Sequence, residues 1–232
     1  MNLPPRSKSQ RGFTLIELLV VISIMAIIIS AAVPAVSGLK GAGNVNQATA
    51  ALDGLLEQAR EYAVAQNTYV WVAFYTDTNS QGQSELFAAV IASNDGTDPN
   101  PIPGTAYSYG KVPSAPLTLL NKVSAFTQLQ LKPAGTFTSS QLSSLTNLPA
   151  AGAVNELSAM AFSIQIPGRT GATTFPNSIQ FLPTGEARNN SSPIDLVEFD
   201  LAPAMASSAP NGQNVAVLRT DGLTGETLVY RR

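Results

Sequence analysis

The chain has 232 residues, with 13 Lys and Arg against 15 Asp and Glu, and it contains neither histidine nor cysteine. The missing histidines exclude Ser-His-Asp and Cys-His catalysis and histidine-ligated zinc, and the missing cysteines leave an exported domain of this size to core packing alone. The slightly acidic balance argues against a general polyanion binder.

Residues 1–12 carry Arg6, Lys8 and Arg11 and no acidic residue. From Phe13 to Val33 run 21 residues whose only charge is Glu17. At about 1.5 Å per residue such a helix reaches roughly 30 Å, enough to cross a hydrocarbon core. A secretory signal would be cut after a shorter apolar core, at a small-residue site. Here the core is too long and holds a carboxylate near its start. A charge inside a membrane helix costs about 2.5–3.5 kcal/mol by insertion scales, so such a residue is expected to have a partner and a role. Basic residues beside the span mark the cytoplasmic side, which puts the C-terminal bulk on the other side of the membrane.

The residues Gly12, Phe13 and Glu17, at this spacing, resemble the type IV prepilin signature. The resemblance implies a cut between Gly12 and Phe13 by a prepilin peptidase, followed by methylation of the new amino terminus at Phe13. Glu17 then becomes the fifth residue of the mature chain and Pro34 the twenty-second, a position where pilin helices often carry a proline. The mature chain would hold 10 basic and 15 acidic residues, a formal charge of −5. Glu17 is expected to meet the amino terminus of a neighbouring subunit and so register the assembly; a pair with its own amino terminus is the alternative.

Pro34, followed by Gly38, Gly41 and Gly43, predicts a kink or local melting of the helix. A second helical pattern spans 46–66. Its apolar stripe is Ala48, Leu52, Leu55, Ala59, Tyr62 and Ala63, with Ala51 and Leu56 at the edges. From Thr68 the pattern changes to β. Residues 68–75 and 85–91 are rich in β-branched and aromatic side chains, and the polar residues 77–84 connect them as a hairpin. Residues 93–116 read as a long surface loop, 117–131 as short strands, and 133–155 as Ser-, Gly- and Ala-rich. Strands are expected at 159–166, 178–181, 194–199, 215–219 and 227–230, separated by turn residues.

These elements predict an α+β fold. A long N-terminal helix, half transmembrane and half amphipathic, packs on a C-terminal antiparallel β-rich globular domain. The expected divisions are a leader at 1–12, an assembly helix at 13–36, an amphipathic helix at 37–67 and the β-rich domain at 68–232. Ala51-Leu52, Leu55, Ala59-Arg60 and Ala63, followed by a strand at 69–74, resemble the minor pseudopilin family GspH/FimT. So do Ile179-Gln-Phe181, Pro183-Thr-Gly185-Glu and the hairpin from Val215 through Thr224-Gly225 to Val229. Asn94-Asp95-Gly96-Thr97, Gly110-Lys111-Val112 and the ending from Thr224 to Arg232 resemble the pilin-like family known as Verru_Chthon cassette protein D.

That resemblance implies a non-enzymatic minor pilin or pseudopilin, without cofactor or metal, in a type II secretion or type IV pilus-like filament. Its partners would be other pilin-like subunits, the prepilin peptidase, the assembly machinery and the bacterial inner membrane, with the globular domain periplasmic or extracellular and nucleic acid an unlikely partner. An adhesive or DNA-binding minor pilin and a membrane-tethered exported enzyme are the alternatives. Arg219, Arg231 and Arg232 could serve the DNA reading, although a solvated hairpin edge explains them more simply. The segment from Asp77 to Gly82 resembles the start of a calcium loop, but its twelfth position is Ala88, where an EF-hand needs a bidentate Glu. Asp95 and Asp98 also read as loop residues. Glu198 and Asp200 lie two apart in a strand and are expected to be surface charges on one face. Arg60 is expected to pair with Glu57 or Glu61, or to cap a strand or loop carbonyl.

Overall fold

The computed structural model describes residues 14–79, 82–98, 108–112, 117–137, 145, 154–157, 160–189, 196–204 and 214–231, with backbone alone at 31–43 and 108–112. The chain separates into two compact units, Met1–Lys40 and Gly41–Arg232.

One helix, α1, covers Leu15–Gln66. Its backbone is helical through Pro34, Gly38, Gly41 and Gly43, so the local melting expected there does not occur. Proline removes one N–H from the ladder, and the bonds on either side continue.

In the second unit the helix buries Val45, Ala48, Thr49, Leu52, Leu56, Ala59 and Ala63, a stripe recurring every three or four residues. Leu56, expected at the edge, is fully buried, whereas Leu55 and Tyr62 lie at the margin of the core and Ala51 is exposed. The helix ends in a Schellman arrangement. Asn67 takes a left-handed φ of 49°, the Thr68 N–H donates to the Ala63 carbonyl at 3.0 Å, and the Asn67 N–H donates to Val64 at 3.3 Å. Asparagine tolerates that conformation, and the chain leaves it directly into a strand.

Three sheets follow. The first has the order β11(Ala187–Arg188)-β10(Asn177–Phe181)-β1(Val70–Thr78)-β2(Ser84–Ser93)-β4(Leu117–Leu119), with β5(Ser124–Thr127) also on β2. The second has the order β14(Thr227–Arg231)-β13(Ala216–Asp221)-β12(Leu196–Pro203)-β6(Leu129–Pro133), with β7(Val154–Asn155) also on β12. The third is β3(Ser108–Val112)-β8(Ala161–Gln165)-β9(Ala172–Phe175). The fold is thus α+β with a β-rich C-terminal part. Two pairings, β7 with β12 and β3 with β8, are parallel, which the antiparallel expectation missed. Strand β3 also lies inside the expected loop at 93–116, β7 lies at the end of the Ser-, Gly- and Ala-rich stretch 133–155, and β9 and β11 fall between the expected strands.

The central strand β1 is buried on both faces, and this explains its unbroken apolar run. Val70, Val72 and Phe74 face a core shared by the helix, the first sheet and the inner side of the second sheet, including Val197, Phe199, Leu201, Ala216 and Leu218. Trp71 and Ala73 face the other way, against Phe162, Ile164 and Phe175 of the third sheet. A smaller cluster of Phe137, Leu145, Ala202, Val215 and Val217 covers the outer side of the second sheet.

Candidate functional site

The first described residues of α1 form a capping box. The Glu17 carboxylate accepts hydrogen bonds from the Thr14 N–H and from the Thr14 hydroxyl, each at 2.9 Å, and the Thr14 Oγ1 accepts the Glu17 N–H at 3.3 Å. Two donors at the helix start are satisfied, and the carboxylate sits at the positive end of the helix dipole. The Thr-x-x-Glu spacing is a sequence signature for this cap, so Thr14 is legible from the sequence. Beyond it the helix is apolar on every side: Leu15 is 82% exposed, Ile27 69% and Ile29 62%. Ser23 and Ser30 donate their hydroxyls to the Leu19 and Ile27 carbonyls at 2.8 and 2.7 Å, so neither needs water. Among the described residues no helix is long and apolar enough to cross a membrane. Side chains of the expected span at 13–36 are described only from 14 to 30, and Gly12 and Phe13 lie outside the described residues. Pro34 lies within helical backbone, its side chain outside the described set.

In the second unit Arg60 does both things expected of it. Its Nε donates to the Thr224 carbonyl at 2.8 Å, and its Nη1 pairs with Glu57 at 2.9 Å. Around it two turns meet. The Ala187 N–H donates to the Gly222 carbonyl at 2.9 Å, and Gly225 lies against the Gly185 carbonyl with a φ of +66°. The 183–185 turn and the 221–225 turn are therefore locked together over the amphipathic part of the helix. This is a structural joint.

Asp77 is engaged in an ion-pair cluster. It pairs with Arg169, which also lies 3.6 Å from Glu85 and over the Phe87 ring at 4.8 Å. The Arg169 guanidinium holds the Asp77 carboxyl below its ordinary range. The Asp95 carboxylate accepts from Ser93 and Thr97, Asp98 pairs with Arg188, and no group of three potential metal ligands exists among the described residues.

The expected surface pair Glu198 and Asp200 is buried, at 4% and 0% exposure, and Arg219 is buried with it at 5%. Glu198 stands opposite Arg219 in the β12–β13 register, and the two form an ion pair. Arg219 therefore cannot serve a surface patch with Arg231, and Arg232 lies outside the described residues. The residue types revealed nothing of this; only the register between two strands distant in sequence brings the charges together. A cavity of about 310 Å³ opens nearby, lined by residues that include Lys132, Glu156, Asn177 and Glu198 with Leu131, Leu157 and Phe199.

The family model described as the prokaryotic N-terminal methylation motif matches residues 7–33. That motif is typical of type IV pilin-like proteins; it implies processing by prepilin peptidase and assembly with other pilins into a pilus-like filament. No curated protein and no solved structure matches the chain.

Proposed function

We propose that this chain is a non-enzymatic minor pilin or pseudopilin, of the GspH/FimT kind and akin to Verru_Chthon cassette protein D. A prepilin peptidase cuts it between Gly12 and Phe13, Phe13 becomes the methylated amino terminus, and the helix that follows, bent at Pro34, joins a type II secretion or type IV pilus-like filament. Before assembly the chain sits as a single-pass protein in the bacterial inner membrane, with 13–36 as the assembly helix, 37–67 joining it to the domain at 68–232, and that domain outside the cytoplasm. The methylation motif at 7–33 carries this reading. The exposed, all-round apolar surface from Leu15 to Ile29 supports it, since such a helix is stable only where lipid or other apolar helices cover it.

Cleavage is the direct test. Mass spectrometry of the protein from cells with an active prepilin peptidase should find an amino terminus at Phe13. Gly12→Leu should leave nearly all of it as membrane-bound precursor, because a large side chain obstructs an extended backbone in a protease site. An intact leader on the wild-type protein in those cells rules the proposal out.

Glu17 is assigned the assembly role. Glu17→Val removes a charge that is expensive in lipid, so retention in the membrane should hold or improve, and the cut four residues earlier should survive. Incorporation into sheared or crosslinked filaments should fall at least tenfold. Equal incorporation would mean that Glu17 serves only its own helix cap with Thr14.

A further inference from the structure

The outer side of the second sheet holds a carboxyl that the assembly role does not use. Asp200 is fully buried, and neither of its oxygens accepts a well-formed hydrogen bond. Along β12, alternation puts Val197, Phe199 and Leu201 in the main core and turns Glu198, Asp200 and Ala202 to the other side, where Ala202 and Val217, the register partner of Asp200, pack with Phe137 and Leu145. Each element packed here contributes little that could neutralise Asp200. On β13, Arg219 is committed to Glu198, and its guanidinium lies 5.7 Å from the Tyr230 ring of β14. On β12, Glu198 adds a like charge and also accepts the Gly135 N–H at 3.4 Å. On β6, Lys132 stands opposite Asp200 in register but forms no ion pair with it, and its half-buried side chain reaches the cavity shared with Glu156 and Glu198. The Thr136 N–H donates to the Pro133 carbonyl. The flanking sequences 138–153 and 205–213 carry no titratable side chain.

An ionised carboxylate in that position would be desolvated, uncompensated and repelled by its neighbour. Burial first, then the Glu198 charge, push the Asp200 carboxyl up to about 7, against the opposing pull of Arg219 and the Thr136 amide. A divalent cation is a poorer answer than a proton. Calcium and magnesium take six or more oxygens, whereas this face of β12 offers two carboxylates, of which Glu198 already holds a guanidinium.

We propose that the outer layer of the second sheet is a proton-controlled clamp: with Asp200 neutral, Phe137 and Leu145 pack down on Ala202, Val215 and Val217, and with Asp200 ionised that layer loosens. The sign follows from linkage. A carboxyl with a raised folded-state pKa contributes stability that is fully present below its unfolded value, near 4, and is lost as pH rises to about 7. In an exported domain such a clamp would report the acidity outside the cell. The inference stands on the second unit alone, whatever the filament does.

The test uses the full chain in detergent micelles from pH 5 to 8, wild type beside Asp200→Asn, which mimics the neutral acid. The wild type should lose amide protection at 136–137 and 215–217 as pH rises, approaching tenfold per pH unit below about 7 after correction for chemical exchange. The variant should stay nearly flat and should melt above the wild type at pH 8. Parallel behaviour of the two proteins overturns the clamp. Should the variant not fold, carboxyl ¹³C shifts of the wild type decide: a protonated Asp200 at pH 5.5 supports the clamp, and a carboxylate at that pH overturns it. A shift in melting on adding calcium or EDTA that Asp200→Asn abolishes would overturn it in favour of a cation site.

Discussion

Gly225→Ala is expected to destabilise the Gly41–Arg232 unit by about 2–5 kcal/mol, from left-handed backbone strain of about 1–2 kcal/mol and overpacking of about 1–3 kcal/mol. A Cβ built on Gly225 would stand 2.1 Å from the Gly185 carbonyl oxygen and 3.1 Å from Arg60 Cδ. The nearest atom is backbone, so no side-chain rotation relieves the clash. Gly185 would have to retreat, carrying with it the Ala187–Gly222 hydrogen bond and the contact of Arg60 with Thr224. The control is Gly135→Ala. Its φ of +71° imposes a similar strain, but nothing lies within 4 Å of the added carbon, so it should cost only about 1–2 kcal/mol. Thermal unfolding of the two variants should differ by several degrees, since 1 kcal/mol moves the midpoint of a domain this size by about 2–4 °C. Equal midpoints would show that the two turns do not touch in solution.

Arg219→Leu should be at least as damaging, at about 3–5 kcal/mol, because it strips the counter-charge from a buried carboxylate. The side chains of Glu198 and Arg219 are each 5% exposed, and Asp200, fully buried, lies two residues from Glu198 on the same face of β12. Removing both partners should be milder: Arg219→Leu with Glu198→Leu leaves no orphaned charge, and the double variant should recover much of the lost midpoint. The coupling between the two substitutions, measured by denaturant unfolding, should exceed about 1 kcal/mol. Simple additivity would mean that the pair is hydrated and that burial is not what holds it. The result also bears on any DNA assay, since loss of binding on changing Arg219 would report damaged folding rather than a lost phosphate contact.

The elements that a local pattern specifies were legible. The 3.6-residue stripe from Ala48 to Ala63 predicted the amphipathic helix, and its stop at Gln66 followed from the switch to β-branched and aromatic residues after Thr68. The hairpin of strands expected at 68–75 and 85–91 was legible in composition, but the ladder runs further, over 70–78 and 84–93, and takes Asp77, Thr78 and Ser84 from the expected loop. Strands with weaker composition were lost. β3 lies among Gly and Ser, and β11 is two residues long; each exists because a neighbouring strand offers its edge, a circumstance absent from its own sequence. Burial failed in the same way. Glu198 and Asp200 are ordinary strand charges until one knows that both are buried, opposite Arg219 and Val217 in the β12–β13 register.

By itself, then, the sequence determined the segment that matches the N-terminal methylation motif, residues 7–33. The basic residues Arg6, Lys8 and Arg11, then Gly12, Phe13, Glu17 and the apolar run, form one contiguous stretch whose hydrophobicity, charge and spacing depend on no distant residue, and the Thr14–Glu17 cap is local in the same sense. Only the tertiary structure decided which charges are buried and what they meet. Arg60 reaches Thr224 across 164 positions, Arg219 reaches Glu198 across 21, and Gly225 stops against Gly185. Such pairings are set by sheet register and by the crossing of turns over a helix, and a single residue's type contains no information about either. Their energies are decided by burial, because a charge that is nearly free to place in water becomes expensive to leave unpaired once two layers close over it.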